Sequence, residues 1–526
     1  MQKALEMGQN SAKGSFQLFI GVAASTIIMA IGTIILARLI KPEEYGLYAI
    51  ALIPSYTAAI FRDWGVNTAI ARYTASLRAE NREGEAYEII ASGMLFELAT
   101  GLALSLILVS LSSFIASTVF QRPEASFLIA LASTTVLAGA LLTAAQSSFI
   151  GFERMELNSL TNICQAIVKT VASPILVFVG YGALGATLGY TLSFIFAAIT
   201  GLAVLYLTII RKLKAKNPWK KGLSLNLKAM LRYGVPLSIA SIIGGFLTQL
   251  YAFLMAIYCT DAMIGNYQVA THFAILLTFF TIPISTVLFP VFSKINPQKE
   301  PELLQTVFAS SVKYTAVFLV PATMAVMVLS KPMIYTLFGE KWAYAPFFLT
   351  LYVVNDLFAI FGRLSLGNLL AGVGETKTQM KLSLTTLTFG VPLAFVLIPF
   401  AGIVGLITTS IVAGLPSLFL GLRWIWKRYK VKVDIKSSAK ILAASLTAAV
   451  TTLMATNLML CADWAKLTVG GAIFIITYIV AAPILGAIEK ADMANLKALF
   501  SGLGIISKML SVPLHAMEVV QRILSF

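Results

Sequence analysis

Residues 89–119 decide the fold class, and they read IIASGMLFELATGLALSLILVSLSSFIASTV. Glu97 is the only charged residue in this stretch. A helix rises about 1.5 Å per residue, so about 20 apolar residues cross the roughly 30 Å hydrocarbon core of a bilayer. Comparable stretches recur from one end of the 526-residue chain to the other. The sequence therefore predicts an all-α, polytopic membrane protein.

The overall composition supports this prediction. Apolar residues make up 58% of the chain and charged residues 12%, whereas soluble domains average about 45–50% and about 25%. This composition excludes a soluble enzyme, a transcription factor and a secreted disulfide scaffold. The net charge of +16 does not indicate nucleic-acid binding, because the basic residues concentrate in loops in the pattern that orients membrane proteins.

No pattern of cysteines, histidines or phosphate-binding residues in the sequence indicates a cofactor. Cys164, Cys259 and Cys461 are scattered, and the chain has two histidines. An odd, dispersed set of cysteines does not predict a disulfide framework. Residues 372–378, GVGETKT, lack the spacing of a phosphate-binding loop. We therefore expect no cofactor and no ATP-driven step, and the remaining energy sources are protons, sodium ions or the membrane potential.

Fourteen apolar stretches meet the length criterion for a membrane-spanning helix. The second ends either at residue 71 or near Arg62, with an interfacial segment after it. The predicted spans are 16–39, 46–71, 89–119, 126–150, 159–179, 183–210, 234–259, 265–291, 306–330, 346–370, 382–400, 402–422, 441–461 and 467–488.

The distribution of Lys and Arg predicts the orientation of these spans. Of 39 basic residues, 29 fall in segments that are cytoplasmic when the N-terminus is inside, six fall in outer loops and four lie within spans. Cytoplasmic loops carry the excess of Lys and Arg in membrane proteins. We therefore expect a multi-pass protein of the cell membrane with both termini in the cytoplasm.

Short motifs recur along the chain at offsets of 218–221 residues. Four pairs in the same order carry the repeat: Tyr45–Ala51 with Ile264–Ala270, Phe120 with Phe338, Gly151–Arg154 with Gly372–Glu375, and Gly182–Gly185 with Gly402–Gly405. Each half holds six helices, an even number, so the two halves share one orientation. This predicts two lobes related by a pseudo-two-fold axis along the membrane normal, with the substrate between them, and two extra helices at the C-terminus.

The repeat and the loop charges divide the chain into six predicted segments. These are a six-helix lobe (1–210), a basic cytoplasmic linker (211–233), a second six-helix lobe (234–422), a basic cytoplasmic loop (423–440), helices 13 and 14 (441–488) and an amphipathic cytoplasmic tail (489–526). In the tail, Met493 belongs to the apolar face, which we expect on the inner leaflet surface.

Several motifs resemble those of the polysaccharide transporter family. Residues 37–49, ARLIKPEEYGLYA, and 63–73, DWGVNTAIARY, resemble the opening helices of that family. FGEKW at 338–342 and GVGETK at 372–377 resemble turns of its second lobe. The family contains the O-antigen-type oligosaccharide flippases, and it belongs to the multidrug/oligosaccharidyl-lipid/polysaccharide exporter superfamily.

The resemblance implies a flippase for lipid-linked oligosaccharides. Such a protein moves polyprenyl-phosphate or polyprenyl-diphosphate glycans from the cytoplasmic to the outer leaflet by alternating access. Its partners would be a lipid-linked oligosaccharide with an anionic phosphate head and the membrane lipids, with no nucleic acid, and we expect a monomer.

Seven ionisable residues lie within the predicted spans, where each costs about 2.5–3.5 kcal/mol on insertion scales. An anionic head group needs cations, so substrate binding is assigned to Arg62, Lys169 and Arg363. Coupling to a cation or pairing between the lobes is assigned to Asp63, Glu97, Lys313 and Asp356. Asp356 and Arg363 are seven residues apart and would share one face of helix ten.

Other interpretations of these residues and of the fold remain open. Arg62 and Asp63 also suit a local pair at the inner interface, and Tyr251, Tyr258 and Tyr267 suit either sugar stacking or an interfacial aromatic belt. A lipid II flippase would share the fold and the fourteen helices. A multidrug exporter of the same superfamily would prefer an acidic cavity. A membrane glycosyltransferase is disfavoured, because the only outer carboxylate pair, Glu43 and Glu44, lies in a short turn.

Overall fold

The computed structural model describes residues 2–214, 223–274, 277, 288, 291–489, 492–495, 515–520 and 522–523. Within these ranges every regular element is helical, which confirms the predicted fold class. The chain divides into two compact units, residues 1–265 and 266–526.

The first unit contains the N-terminal helices. They are α1 (Gln2–Leu39), α2 (Pro42–Arg62), α3 (Val66–Ala79), α4 (Glu83–Phe114), α5 (Ala125–Gly151), α6 (Met155–Leu176), α7 (Gly182–Leu205), α8 (Arg211–Lys214) and α9 (Leu223–Tyr258). Three π-helical turns extend α4, α6 and α7: Ile115–Val119, Val177–Tyr181 and Tyr206–Ile210. Helix α10 (Asp261–Ala274) contains the boundary between the units.

The second unit contains the remaining helices. They are α11 (Pro301–Phe338), α12 (Ala345–Leu357), α13 (Arg363–Gly372), α14 (Thr376–Tyr429), α15 (Ile435–Leu458) and α16 (Asp463–Ile484).

Many of these helices are long and apolar enough to cross a membrane. Among the described residues there are eight such stretches, or nine when the bent pair Ala345–Phe361 and Arg363–Gly372 counts as one span. Two of the eight, Met155–Leu213 and Thr376–Tyr429, each contain a glycine with non-helical backbone angles, Gly182 and Gly402. The second half of the predicted eighth span lies outside the described residues, so the total of fourteen stays a prediction.

Helix α5 is the central helix of the first unit and packs against α2, α3, α4 and α7. Small residues allow this close approach, because membrane helices associate through van der Waals packing rather than a hydrophobic driving force. Ala132, Ala140, Ala144 and Ser148 recur at four-residue or eight-residue spacing and are fully buried. The large apolar side chain of Phe127 instead lies on the periphery, where it is 65% exposed and suited to lipid contact.

Helix α11 has the corresponding place in the second unit, packed against α12, α15 and α16. The Tyr478 hydroxyl of α16 donates to the Val317 carbonyl at 2.9 Å. Met493 and Met517 belong to the same buried core. The interpretation of Met493 as a lipid-facing residue of the tail was therefore wrong. The side chain is fully buried, because an apolar residue next to the helical core finds more complete burial there than at the membrane surface.

Helix α9, which the repeat places in the second lobe, packs against α2, α3 and α4 of the first unit. A methyl group on Gly65 would lie 2.3 Å from the carbonyl oxygen of Gly234. Two glycines thus bring the backbones of the α2–α3 connection and α9 into direct contact. The predicted lobe boundaries stay a prediction.

The repeated sequence motifs adopt matching backbone conformations. After α5, Glu153 has φ 58° and the Arg154 amide donates to the Phe149 carbonyl. After α13, Gly374 has φ 79° and the Glu375 amide donates to the Leu370 carbonyl. Both helices therefore end in the same left-handed turn, in which two orphan carbonyls are satisfied.

The second pair of matching turns joins two helices across a glycine. Gly182 has φ 48° and ψ −129°, and Gly402 has φ 57° and ψ −129°. Side chains other than hydrogen rarely tolerate this region. The matching angles at equivalent positions support the internal repeat.

A reciprocal contact joins two helix starts in the first unit. A methyl group on Gly46 would lie 1.9 Å from the Asp261 carbonyl oxygen, and one on Gly265 would lie 2.1 Å from the Pro42 carbonyl oxygen. Pro42 and Asp261 begin α2 and α10. The contact is therefore symmetric between repeat-equivalent residues, as a local two-fold relation requires.

Candidate functional site

The end of α2 forms a buried polar network around Arg62. The guanidinium Nε lies 3.0 Å from Glu97 Oε2, and the two side chains are 7% and 0% exposed. The other guanidinium nitrogens donate to the Thr143 hydroxyl at 2.8 Å and the Val136 carbonyl at 3.2 Å. Asn67 donates to Glu97 Oε1 at 2.9 Å. The charge of Arg62 is thus compensated inside the first unit.

This network lies where the predicted second span breaks. Helix α2 ends at Arg62 and α3 begins at Val66, with Trp64 at φ 48° and Gly65 at φ 78° between them. Asp63 Oδ1 accepts a hydrogen bond from the Asn67 amide at 2.8 Å. The shorter of the two predicted spans is therefore correct, and Asp63 caps the following helix instead of pairing with Arg62.

Lys169 on α6 has no such compensation. Its Nζ lies 5.3 Å from the ring centroid of Tyr190 on α7. It forms no ion pair with any carboxylate that the structure describes. A partly buried lysine in a predicted span, held only by a cation–π contact, is an available positive charge for an anion.

Tyr190, whose ring Lys169 contacts, belongs to a cluster of aromatic side chains. The Tyr190 hydroxyl donates to the Tyr56 hydroxyl at 3.0 Å, and their ring centroids are 6.3 Å apart. Tyr190 also contacts Tyr48 at 6.3 Å and Phe194 at 5.1 Å. Tyr56 is 45% exposed, whereas Tyr190 is 5% exposed. Tyr56 therefore offers an accessible ring that is hydrogen-bonded to the tyrosine that Lys169 contacts.

The sequence interpretation did not identify Tyr56 and Tyr190 as site residues. Both tyrosines lie inside predicted apolar spans, where a hydroxyl needs a hydrogen-bond partner. Their position relative to Lys169 depends on the packing of α2, α6 and α7, which no local pattern encodes. Asn67 and Thr143, which complete the network of Arg62, were missed for the same reason.

In the second unit the predicted tenth span breaks near Arg363. Gly362 has φ 79°, and the helices on either side, counted from Ala345 and from Arg363, bend by 56°. Arg363 is exposed, and its Nη1 donates to the Asn355 carbonyl at 3.0 Å across the break. Asp356 and Arg363 form no ion pair within the described chain. The prediction that they share one face of a continuous helix was wrong, because the glycine ends the helix between them.

A second tyrosine pair lies one helical turn before Asp356. The rings of Tyr267 and Tyr352 are 6.2 Å apart at 68°, and Tyr352 is 36% exposed. The second unit therefore also carries an accessible tyrosine, near Asp356 and Arg363 in the chain.

Lys313 pairs inside the second unit. Its Nζ lies 2.6 Å from Asp492 Oδ2, and the two side chains are 16% and 12% exposed. Glu97 and Lys313 thus each have an ionic partner within their own unit, Arg62 and Asp492. Both charges are therefore neutralised within their own unit. That these two residues pair between the lobes or couple to a cation stays a prediction.

Comparison with known proteins establishes the family. The sequence matches the polysaccharide biosynthesis protein family over residues 35–345, which is more than half of the chain. The chain belongs to this family. Residues 265–479 also match the family of the lipid II flippase MurJ. The family resemblance read from the motifs is confirmed.

Two curated proteins are similar to this family member. The lipopolysaccharide biosynthesis protein WzxC of Escherichia coli (strain K12) is 26% identical over 72% of this chain and 72% of its own length. The probable low-salt glycan biosynthesis flippase Agl15 of Haloferax volcanii is 21% identical over 28% of this chain and 33% of its own length.

Solved structures share the fold of this family member. The lipid II flippase MurJ in an inward closed conformation has a TM-score of 0.70, with 15% identity over 89% of this chain and 98% of that chain. An inward-facing multidrug resistance MATE family transporter has a TM-score of 0.62, with 17% identity over 77% and 94%. At these identities the likeness shows the fold alone.

Proposed function

We propose that this protein is a flippase for lipid-linked oligosaccharides and not an enzyme. It would move polyprenyl-phosphate or polyprenyl-diphosphate glycans from the cytoplasmic to the outer leaflet, for the synthesis of surface polysaccharide or glycoprotein. The match to the polysaccharide biosynthesis protein family supports this proposal. So do the names of its relatives, one a lipopolysaccharide biosynthesis protein and one a probable glycan biosynthesis flippase.

Within the site, the position of Lys169 is the observation that supports this proposal. An anionic phosphate needs a cation that is not already neutralised, and Arg62 is paired with Glu97. Within the part of the chain that the structure describes, Lys169 contacts the Tyr190 ring and forms no ion pair. Tyr56, beside Tyr190 and 45% exposed, supplies an aromatic face of the kind on which a sugar ring stacks.

We assign the phosphate contacts to Lys169 in the first unit and Arg363 in the second. Arg62 then positions the end of α2 and does not contact the substrate. The polyprenyl tail would stay in lipid while the head group crosses. A negative-inside potential favours outward movement of an anion by about 2.3 kcal/mol per charge per 100 mV, so the potential alone can drive the step.

Ion coupling, where it operates, is assigned to Asp63 and Asp356. Asp63 lines a cleft of about 280 Å³ together with Thr68, Ser238 and Trp64. Its Oδ1 accepts a hydrogen bond from the Asn67 amide. We also propose cytoplasmic termini, a location in the plasma membrane, a monomeric state and no cofactor.

A lipid II flippase is the second candidate. It is favoured by the match of residues 265–479 to the MurJ family. Its substrate is also an anionic polyprenyl-linked glycan, so the same cation would serve. A multidrug exporter of organic cations is disfavoured, because the exposed Tyr56 is bonded to Tyr190, whose ring contacts a lysine, and the Glu97 carboxylate is paired with Arg62.

The test is a flipping assay in proteoliposomes with an inside-negative potential. A fluorescent polyprenyl-diphosphate oligosaccharide is followed by its accessibility to an external quencher. Lys169→Gln is compared with Lys169→Arg and with Lys331→Gln. Lys331 is a matched control, because its Nζ also contacts a tyrosine ring, that of Tyr335 at 5.5 Å, at a predicted outer loop.

We expect Lys169→Gln to lower the flipping rate at least tenfold, Lys169→Arg to retain most of it, and Lys331→Gln to match wild type. Equal rates for Lys169→Gln and wild type would remove Lys169 from the site. A wild type that transports a fluorescent organic cation but no polyprenyl-linked glycan, lipid II included, would overturn the flippase proposal.

A further inference from the structure

A second cationic site lies in the first unit, away from Lys169. Helices α3 and α9 enclose a cleft of about 510 Å³ lined by Tyr73, Leu225, Lys228, Ala229, Arg232 and Tyr233. Four of these residues, Leu225, Lys228, Ala229 and Arg232, follow the spacing that places side chains on one face of a helix. This face of α9 combines an apolar base with two cations.

A third cation, Arg72, contacts the two tyrosine rings that line the cleft. The guanidinium carbon of Arg72 lies 4.1 Å from the Tyr233 ring centroid and 5.7 Å from that of Tyr73. The two tyrosine rings meet edge to face at 5.9 Å. This stacking restrains Arg72 and leaves its guanidinium edge free to donate hydrogen bonds.

The three cations have no carboxylate partner among the described residues. Arg72, Lys228 and Arg232 are all exposed and form no ion pair there. The neighbouring turn shows the contrast, because Arg82 pairs with Glu80 and Glu85 at 2.6 and 2.8 Å. The cleft therefore carries three uncompensated positive charges around a space large enough for a diphosphate.

The chemistry of the lining favours an anionic group such as phosphate over a neutral sugar. Arginine offers a planar fork of donors that matches phosphate oxygens, and lysine adds a point charge. Basic pockets beside membrane helices on the cytoplasmic side recognise the phosphate of lipid head groups. The predicted orientation places Arg72 and residues 211–232 on the cytoplasmic side.

We propose that the cleft formed by Arg72, Lys228, Arg232 and the two tyrosines binds the diphosphate head of the lipid-linked cargo on the cytoplasmic side. The site holds the cargo before the head group reaches Lys169. The order of these two binding steps rests on the proposed function, whereas the binding of a lipid diphosphate to the cleft does not.

The test measures binding of farnesyl diphosphate to the purified full-length protein in phosphatidylcholine nanodiscs by microscale thermophoresis. Lys228→Gln with Arg232→Gln removes two charges from the cleft. Lys377→Gln with Lys381→Gln is the matched control, because it removes two exposed lysines from another predicted cytoplasmic segment. Lys228→Arg with Arg232→Lys keeps the charge and reports whether the fold tolerates substitution.

We expect the cleft variant to weaken farnesyl diphosphate binding at least tenfold. The control should stay within twofold of wild type, the charge-conserving variant should retain binding, and inorganic pyrophosphate should compete. Unchanged binding in the cleft variant would overturn the proposal. A second series contains phosphatidylglycerol in the nanodiscs. Loss of phosphatidylglycerol binding alone, with farnesyl diphosphate unaffected, would assign the cleft to bulk anionic lipid and overturn the cargo assignment.

The flipping assay separates this proposal from the function. If the wild type binds farnesyl diphosphate through the cleft but moves no lipid-linked glycan, the cleft proposal stands and the flippase proposal is overturned. If the wild type flips the glycan and the cleft variant binds and flips equally well, the flippase proposal stands and the cleft proposal is overturned.

Discussion

Arg62 Nε lies 3.0 Å from Glu97 Oε2, and the two side chains are 7% and 0% exposed. The pair joins the last residue of α2 to the middle of α4, next to the break that separates α2 from α3. A buried ion pair of this kind is costly to break on one side, because the remaining charge stays desolvated. The pair therefore identifies Arg62 as a residue that positions the helix end.

Removal of one partner should destabilise the protein more than removal of both. We expect Glu97→Leu or Arg62→Met alone to lower the free energy of unfolding by roughly 3–5 kcal/mol, and the double variant to recover most of it. Denaturant unfolding in detergent, followed by tryptophan fluorescence, measures the double-mutant cycle. The double variant should still flip lipid-linked glycan, and loss of flipping with recovered stability would return Arg62 to substrate binding.

The exposed ring of Tyr56 should contribute to substrate binding. Aromatic contacts of this type contribute about 0.5–1.5 kcal/mol, so we expect Tyr56→Ala to raise the half-saturating substrate concentration about two- to tenfold. Tyr56→Phe keeps the ring and should have a smaller effect. Tyr206→Ala is the control, because Tyr206 is 51% exposed in the π-helical turn that follows α7. A response of the control equal to that of Tyr56→Ala would point to a general effect of surface tyrosines.

The glycines at the two repeated turns should resist substitution. Gly182 and Gly402 share ψ −129° with positive φ, and a residue held in a sparsely populated region costs of order 1–3 kcal/mol. We expect Gly182→Ala and Gly402→Ala each to lower the thermal midpoint measured by fluorescence-detected size exclusion. Gly414→Ala, in the same helix as Gly402 and with no atom within 4 Å of the added methyl, should leave it unchanged. A loss as large for Gly414→Ala would show that the backbone angles are not the cause.

The start of α15 should be sensitive to acid. Asp434 Oδ1 accepts a hydrogen bond from the Ser437 amide at 3.1 Å, and the Ser437 hydroxyl donates to Oδ2 at 2.5 Å. The Ser437 hydroxyl, followed by backbone amides, holds the pKa of Asp434 below its usual range. The stabilisation is therefore complete above the unfolded pKa of about 3.9 and is lost as the pH falls through the lower folded value.

Hydrogen exchange at the first turn of α15 measures this effect. We expect Asp434→Ala to lose about 1 kcal/mol of protection, and wild type to lose the same protection in acid. Asp434→Asn keeps a capping oxygen without a titrating group, so its protection should not change between pH 5 and 3. An Asn variant that titrates like wild type would assign the acid response to another group.

Sequence patterns predicted the parts of the fold that depend on local chemistry. The apolar stretches predicted the helices, because a segment in hydrocarbon must satisfy its own backbone hydrogen bonds. The repeated glycines predicted matching turns, since Gly182 and Gly402 occupy angles that few other residues adopt. The two possible ends of the second span were also recognised, and the structure ends it at Arg62.

Pairwise relations between distant residues could not be predicted in this way. The prediction for Asp356 and Arg363 assumed a continuous helix, and Gly362 at φ 79° interrupts it. Lys313 finds its partner in Asp492, a residue of the predicted tail. Both features, the break at Gly362 and the partner of Lys313, depend on packing against other helices.

Hydropathy and helix length act within one segment, so the amino-acid order alone predicts a helical membrane protein with intramembrane charges. Which of those charges are neutralised depends on how the helices pack. Arg62 meets Glu97 from another helix, whereas Lys169 contacts the ring of Tyr190 and has no ionic partner among the described residues. The cost of a buried charge depends on what lies within a few ångströms of it, and that is set by how the helices pack.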